Sequence, residues 1–235
     1  MLKIFHRSII ATALALTVWG CDKPVTTIEA TPVIVKPTAA ETPTQPVTDR
    51  PKLVAMGDSL TEGLGVALDR AYPAQLQKRL DEAGIHWEVI NAGISGETSS
   101  GAKTRLNWVL RTEPEAILLV TGINDALRGV DPEIIRGNID AIVAKLKEKG
   151  VKVMIGGMKS LPNFGAEYGE KFERIYPELA QKHSVPLIPF FLDGVARVPS
   201  LNQKDGKHPT EEGYTKVVDH IFDDVRVWLQ SEPEA

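Results

Sequence analysis

The chain has 235 residues, of which 43% are hydrophobic and 25% charged, and this is enough to build one well-packed domain. Its net charge of -4 gives no reason to expect a nucleic-acid partner, because proteins that bind nucleic acids usually present a basic surface. Cys21 is the only cysteine in the sequence, which excludes an internal disulfide and any zinc site built from several cysteines.

The first residues have the pattern of a targeting signal. Lys3 and Arg7 precede an uncharged, mostly apolar stretch, Ile9 to Trp19, that is too short to cross a bilayer as a helix. The sequence Val18-Trp19-Gly20-Cys21 resembles a bacterial lipobox, in which the cysteine is lipidated and becomes the new N-terminus, although Trp19 replaces the usual small residue. We therefore expect residues 1–20 to be a lipoprotein-type signal peptide, with an ordinary secretory signal cleaved nearby as the alternative.

This signal predicts a location in the bacterial cell envelope. A lipidated Cys21 would hold the protein on a membrane in the periplasm, and Asp22 resembles a signal for retention at the inner membrane. Residues 21–50 are rich in Pro and Thr, and from Asp22 to Arg50 they contain no Gly and no aromatic residue. Such a composition favours an extended spacer or plain disorder, so the predicted folded domain occupies residues 51–235.

From Pro51 onwards, short apolar runs alternate with longer amphipathic stretches. The runs that predict strands are Leu53–Met56, Val89–Ile90, Ile117–Val120, Val151–Ile155 and Leu187–Ile188. Among the amphipathic stretches, Asp131-Pro132-Glu133 has the pattern of a helix start and Gly150 that of a helix end, and Thr210 is the predicted N-cap of a final helix. Five short strands separated by helices predict an α/β fold, with a parallel sheet covered on both faces.

Ser59 is the candidate nucleophile. It lies just beyond the first predicted strand, at the sheet edge where open α/β sheets bind ligands, and a serine there needs a neighbouring base. Of the five histidines, His208 is the best candidate, because it lies in a polar loop before the last helix. Asp205 is three residues upstream, and a turn at Gly206 would fold its carboxylate back onto the imidazole.

Two loops after strand ends could supply an oxyanion hole. Gly93, in Asn91-Ala92-Gly93-Ile94-Ser95-Gly96, would let a backbone N–H approach a ligand, and Asn124 would present its side-chain amide. Asp58 precedes the nucleophile, and we expect it to stabilise the turn rather than to bond within the site.

In this order, Ser59, Gly93, Asn124 and His208 resemble the four motif blocks of the SGNH (GDSL) hydrolase superfamily. The motifs Gly57-Asp58-Ser59-Leu60-Thr61-Glu62-Gly63 and Asn124-Asp125-Ala126-Leu127-Arg128-Gly129 are similar to its periplasmic multifunctional acyl-CoA thioesterase/lysophospholipase/arylesterase branch. The resemblance implies a flavodoxin-like three-layer α/β/α sandwich with a five-stranded parallel sheet. Ile123 departs from the Gly usual in that branch and would add bulk beside the oxyanion site.

The resemblance also implies the chemistry. Ser59 would attack an acyl ester or thioester with His208 as base and Asp205 as its orienting acid, while the N–H groups of Ser59 and Gly93 and the side chain of Asn124 hold the oxyanion. We expect no metal or organic cofactor, a small-molecule acyl substrate and a monomer. Arg128 is a candidate for contact with an anionic head group. The candidate substrate contacts are Leu64, Met158, Leu161, Pro162 and Phe164.

Two other functions use the same features. A carbohydrate O-deacetylase of the envelope would use the same catalytic groups in a shallower, more polar cleft. A non-catalytic binding lipoprotein is less compatible with the sequence, because Ser59, Asp205 and His208 are all present.

Overall fold

The computed structural model describes residues 49–160 and 164–231. The predicted signal peptide, nearly all of the predicted linker and the lipidation predicted at Cys21 therefore lie outside the described residues, as do the contacts predicted at Leu161 and Pro162. Within the described ranges, no helix has the length and apolar character needed to cross a membrane.

Five parallel strands form one sheet in the order β2-β1-β3-β4-β5. The strands are β1 (Lys52–Gly57), β2 (Glu88–Gly93), β3 (Ala116–Val120), β4 (Lys152–Gly156) and β5 (Leu187–Ile188). All five predicted strands are confirmed. The largest difference is in β2, which continues beyond the predicted Val89–Ile90 because its backbone stays paired with β1 as far as Gly57 and Gly93.

The sheet positions the candidate nucleophile. Residues 53–56 of β1 and all of β3 are buried, as expected of central strands, whereas the edge strand β2 is largely half-buried. Because β1 pairs with β2 on one side and with β3 on the other, the strand order reverses beside β1. Ligands of open α/β sheets bind at such a reversal, outside the carboxyl ends of the strands.

The helices form two packed groups around the sheet, which gives the predicted three-layer α/β/α sandwich. Helix α2 packs against α7, while α5 packs against both α3 and α6. The helices are α1 (Ser59–Glu62), α2 (Tyr72–Glu82), α3 (Ser99–Leu110), α4 (Ile123–Leu127), α5 (Pro132–Glu148), α6 (Ala166–His183) and α7 (Glu211–Gln230).

The predicted helix starts are confirmed at α5 and α7. The side chain of Asp131 accepts the Glu133 N–H at 2.9 Å, and the side chain of Thr210 accepts the Gly213 N–H at 3.1 Å. The amphipathic pattern of the final helix also predicts that Phe222 is buried, but it is only half-buried. It lies at the edge of the α2–α7 contact, where the Arg79 guanidinium stacks over its ring at 4.7 Å.

Candidate active site

Ser59 is held directly beyond the end of β1 by the single-turn helix α1. Asp58 caps this turn, its carboxylate accepting the Leu60 N–H at 3.0 Å. Gly63, with a φ of 88°, closes the turn and donates its N–H to the Ser59 carbonyl at 3.1 Å. The Ser59 side chain is thereby fixed at the strand end where the sequence predicts it, in a residue that is 7% exposed.

His208 and Asp205 meet Ser59 in one hydrogen-bonded line. His208 Nε2 lies 2.9 Å from Ser59 Oγ, and His208 Nδ1 lies 2.5 Å from Asp205 Oδ2. Two residues separated by 149 positions are thus brought into contact, as the sequence predicts. In this geometry the imidazole can accept the serine proton on one nitrogen while the carboxylate orients the other.

The loop that carries the imidazole is shaped by Asp205 itself. The other carboxylate oxygen of Asp205 accepts the N–H groups of Lys207 at 2.9 Å and His208 at 3.1 Å. Gly206 takes the left-handed φ of 68° that this tight turn requires. The hydrogen bond from His208, followed by that from the Lys207 N–H, lowers the pKa of Asp205 to about 2, so the carboxylate is ionised at neutral pH.

Asp58 has a second bond that the sequence prediction did not favour. Its Oδ2 accepts the Asn124 side-chain amide at 3.1 Å, so one carboxylate both caps the nucleophile turn and orients the predicted oxyanion donor. The same amide nitrogen donates to the Glu97 carbonyl at 3.1 Å. Burial raises the pKa of Asp58 to about 6, only partly offset by the hydrogen bond from the Leu60 N–H and by the electrostatic interaction with His208.

Gly93 at the end of β2 and Gly96 in the loop that follows have different surroundings. The Gly93 N–H donates to Asn91 Oδ1 at 2.9 Å, and a Cβ on Gly93 would lie 2.0 Å from the Glu62 nitrogen. Gly93 therefore lets α1 pack against the end of β2, and it is not among the residues that line the cavity beside Ser59. Gly96 does line that cavity, which is a position the sequence prediction had given to Gly93.

The backbone N–H groups of Ser59 and Gly96 are available to a ligand. Neither donates to an acceptor among the described residues, and both residues line the cavity. Gly96 has a φ of 75° and is restrained by Arg128, whose guanidinium donates to the Gly96 carbonyl at 2.9 Å. Arg128, predicted as a candidate head-group contact, thus bonds the loop of the site instead.

The cavity next to Ser59 has a volume of about 660 Å³. Leu64 and Met158 line it, as the sequence predicts, whereas Phe164 does not and packs on Tyr168 with ring centroids 5.3 Å apart. Other apolar side chains of the lining come from Ile123, Leu127, Phe190, Leu192 and Ala196, and cationic ones from Lys159, Arg197 and Lys207.

Most of these lining residues were not predicted from the sequence. The available signal was their position: Ile123 follows β3, Met158 follows β4 and Phe190 follows β5, all at the same edge of the sheet as Ser59. Within the described residues, no group of three His, Cys, Asp or Glu side chains is placed to hold a metal ion.

Comparison with known proteins places residues 55–216 in a match to the model of the GDSL-like lipase/acylhydrolase family. The esterase TesA of Pseudomonas aeruginosa is 36% identical over 171 residues, which cover 72% of this chain and 85% of that protein. Thioesterase 1/protease 1/lysophospholipase L1 of Escherichia coli K12 is 34% identical over 168 residues, which cover 71% of this chain and 79% of that protein. The crystal structure of AlinE4, an SGNH-hydrolase family esterase, superposes with a TM-score of 0.65 at 37% identity, over 78% of this chain and 99% of that one.

Proposed function

Since this chain belongs to the GDSL-like lipase/acylhydrolase family and is a serine hydrolase of ester bonds, we propose that it acts through an acyl-enzyme formed on Ser59. The observation that carries the proposal is the line from Ser59 Oγ through the His208 ring to Asp205, with separations of 2.9 and 2.5 Å. Each group is within the reach that proton transfer requires.

The first half of the reaction forms the acyl-enzyme. His208 Nε2 accepts the Ser59 proton as Oγ attacks the acyl carbonyl carbon, and a tetrahedral oxyanion forms. Asp205, whose pKa of about 2 keeps it anionic, stabilises the imidazolium. When the tetrahedral intermediate collapses, His208 returns the proton to the departing alcohol or thiol.

The oxyanion is held by three donors in this proposal: the N–H groups of Ser59 and Gly96 and the side-chain amide of Asn124. The two backbone groups have no protein acceptor among the described residues, which supports this use. Both N–H groups of the Asn124 amide are used in this structure, one to Asp58 and one to the Glu97 carbonyl, at 3.1 Å each. These bonds orient the amide before a substrate arrives, and to hold the oxyanion one of the two N–H groups must be shared with it or turn towards it. Gly93 contributes indirectly, by allowing the close approach of α1.

The second half releases the acid. Water takes the place of the leaving group, and His208 Nε2 removes its proton as it attacks the acyl carbonyl carbon. Collapse of the second tetrahedral intermediate breaks the bond to Ser59 Oγ and restores the serine proton. The chemistry of these steps needs only the side chains and N–H groups described above.

The lining of the cavity supports acyl groups longer than acetyl. Apolar side chains from four separate segments of the chain, including Leu64, Ile123, Met158 and Phe190, surround the space next to Ser59. Burial of methylene groups against such a surface favours the longer chain, at about 0.8 kcal/mol for each. Turnover of p-nitrophenyl esters should therefore rise from acetate to medium-chain acids, whereas a strict acetyl preference with turnover of an acetylated glycan would favour the O-deacetylase.

We propose that the enzyme works in the bacterial periplasm, attached to the inner membrane through a lipid on Cys21. The lipobox-like sequence, Asp22 and the Pro-rich residues 21–50 support this. Cys21→Ala should move the protein from the membrane to the soluble fraction, and Asp22→Ser should change the membrane in which it is found. All groups of the proposed site come from one chain, so we infer that a monomer is sufficient for activity. Light scattering together with an activity assay tests this.

Ser59→Ala tests the catalytic proposal. The variant should lose nearly all turnover of p-nitrophenyl butyrate and all covalent labelling by a fluorophosphonate, because in this mechanism only Ser59 forms a covalent bond to the substrate. Ser95→Ala, on the neighbouring loop, should still be labelled. Wild-type turnover by Ser59→Ala would refute the mechanism, and an unlabelled, inactive wild-type protein would favour the binding lipoprotein.

A further inference from the structure

A buried ion pair lies directly behind the proposed oxyanion donors. Arg105, in the middle of α3, donates from Nε to Glu97 Oε1 at 2.6 Å and from Nη2 to Glu97 Oε2 at 2.7 Å. The two side chains are only 11% and 7% exposed. This is the paired geometry in which a guanidinium fixes a carboxylate in orientation as well as in distance.

The same guanidinium also bonds the ends of two strands. Arg105 Nη2 donates to the Ala92 carbonyl of β2 at 2.7 Å and to the Gly57 carbonyl of β1 at 3.2 Å. The Gly57 carbonyl further accepts the Ile94 N–H at 3.0 Å. Arg105 therefore fixes the β2–α3 loop against the strand end from which the nucleophile turn begins.

Glu97 connects this pair to the two oxyanion donors that lie outside the nucleophile turn. Its backbone carbonyl accepts the Asn124 amide at 3.1 Å, opposite the bond that Asn124 makes to Asp58. Gly96 immediately precedes Glu97, so the direction of its free N–H depends on the same stretch of backbone. A shift of Glu97 would displace both donors together.

Stability alone does not account for such a pair. Moving two charges out of water costs about as much as their attraction returns, and apolar replacements of buried pairs are often as stable. We propose that Arg105 is a positioning residue that, through Glu97, holds Gly96 and Asn124 where the oxyanion forms. This rests on the proposed function and adds to it two residues that touch neither the substrate nor Ser59.

Arg105→Lys tests the proposal, because it keeps the positive charge and removes the paired donors. We expect kcat for p-nitrophenyl butyrate to fall about 10- to 100-fold, less than the 100- to 1000-fold typical of removing an oxyanion donor. KM should change by less than about threefold, since the donors act on charge that develops only in the transition state. Lys103→Ala, exposed on the same helix, should behave as wild type.

A second control separates positioning from the general cost of breaking an ion pair. Asp140→Ala removes a carboxylate that pairs with Lys182 at 2.7 Å and bonds His183 at 2.6 Å, and none of these three residues lines the cavity. It should lower the melting temperature and leave kcat unchanged. Glu97→Gln, which keeps the shape and the backbone carbonyl, serves as the second probe should Arg105→Lys be poorly folded, and it should reduce kcat in the same way.

The double variant with Asn124→Ala identifies the route of the effect. If Arg105 acts through the Glu97 loop, the combined loss should be at least about fivefold smaller than the product of the two single losses. Multiplicative losses, a rise in KM instead of a fall in kcat, or wild-type kcat in Arg105→Lys would overturn the proposal. So would unfolding of both Arg105→Lys and Glu97→Gln, since the pair would then be structural.

Ser59→Ala in the same series keeps the two ideas distinguishable. Turnover by that variant refutes the proposed function, whereas an inactive Ser59→Ala beside an unaffected Arg105→Lys refutes only the positioning role.

Discussion

The buried carboxyl of Asp58 gives a prediction whose size follows from the structure. Asp58 is 1% exposed, and burial raises its pKa from 3.8 to about 6. At 1.36 kcal/mol for each pH unit, this difference is worth roughly 3 kcal/mol. Because the folded protein binds the proton more tightly than the unfolded chain, the contribution of Asp58 to stability is fully present below about pH 3.8 and is lost as the pH rises through about 6.

Asp58→Asn removes the loss of stability that ionisation of this buried carboxyl causes at higher pH, and it also removes one of the two side-chain acceptor oxygens. An amide has a single acceptor oxygen, so either the Leu60 N–H or the Asn124 amide loses its partner, at a cost of about 1–3 kcal/mol at any pH. The free energy of unfolding of the variant relative to wild type should therefore rise by about 2 to 3 kcal/mol between pH 4 and pH 8, because a small part of the full difference is already lost at pH 4. At pH 8 the free energy of unfolding of the variant should equal that of wild type or exceed it by up to about 2 kcal/mol. Its kcat should nevertheless be lower, since Asn124 is less firmly oriented.

Urea unfolding of the full chain, followed by tryptophan fluorescence at pH 4, 5, 6, 7 and 8, measures this difference. Asp69→Asn is the matched control for the change of Asp to Asn, since that side chain is 78% exposed. A difference between Asp58→Asn and wild type that stays constant from pH 4 to pH 8 would refute the reasoning.

Three further predictions concern the site. Asp205→Asn should lower kcat about 10³-fold, because a neutral amide stabilises the imidazolium poorly, and a loss below tenfold in an ester assay would contradict this. Gly93→Ala should strongly reduce the yield of soluble, folded protein, because its Cβ would lie 2.0 Å from the Glu62 nitrogen. Gly96→Ala, whose Cβ would meet its nearest atom at 3.7 Å at a φ of 75°, should lower the free energy of unfolding by only about 1–2 kcal/mol. Equal melting temperatures of the two variants would contradict the packing role given to Gly93. Ile123→Ala should raise the relative kcat/KM for longer acyl chains by about tenfold in a series of p-nitrophenyl esters, and an unchanged profile would show that Ile123 does not limit chain length.

The strands could be predicted from the sequence because burial makes each of them a short run of apolar residues. Leu53–Met56 and Ile117–Val120 are apolar throughout, as central strands of a parallel sheet must be, and both lie within one or two residues of the observed bounds. The pair of Asp205 and His208 is predictable for a related reason: its contact is local, across one turn.

Which of the two glycines, Gly93 or Gly96, lines the cavity depends on a contact that cannot be read from the sequence. Gly93 and Gly96 are equally plausible in the sequence, and the choice is decided by how far β2 pairs with β1 and by the approach of α1. The Arg105–Glu97 pair could not be predicted from the sequence either. The two residues are eight positions apart, across a loop and the start of α3, and no helical spacing links them.

The cavity is the least predictable part. Its lining comes from loops after several strands, so it follows from their packing rather than from any motif. Leu64 and Met158 were predictable because they lie near the nucleophile turn and a strand end. Phe164 is similar in sequence terms, but its ring packs on Tyr168 instead of lining the cavity.

The distance along the chain between Ser59 and His208 also determines when the enzyme can first act. At synthesis rates of 5–20 residues per second, the 149 residues between them take roughly 7 to 30 s to add. During that interval a growing chain contains the proposed nucleophile and oxyanion donors without the proposed base. If the proposed mechanism holds, newly made protein should therefore be unable to hydrolyse esters until the loop that carries His208 has been made and has reached Ser59.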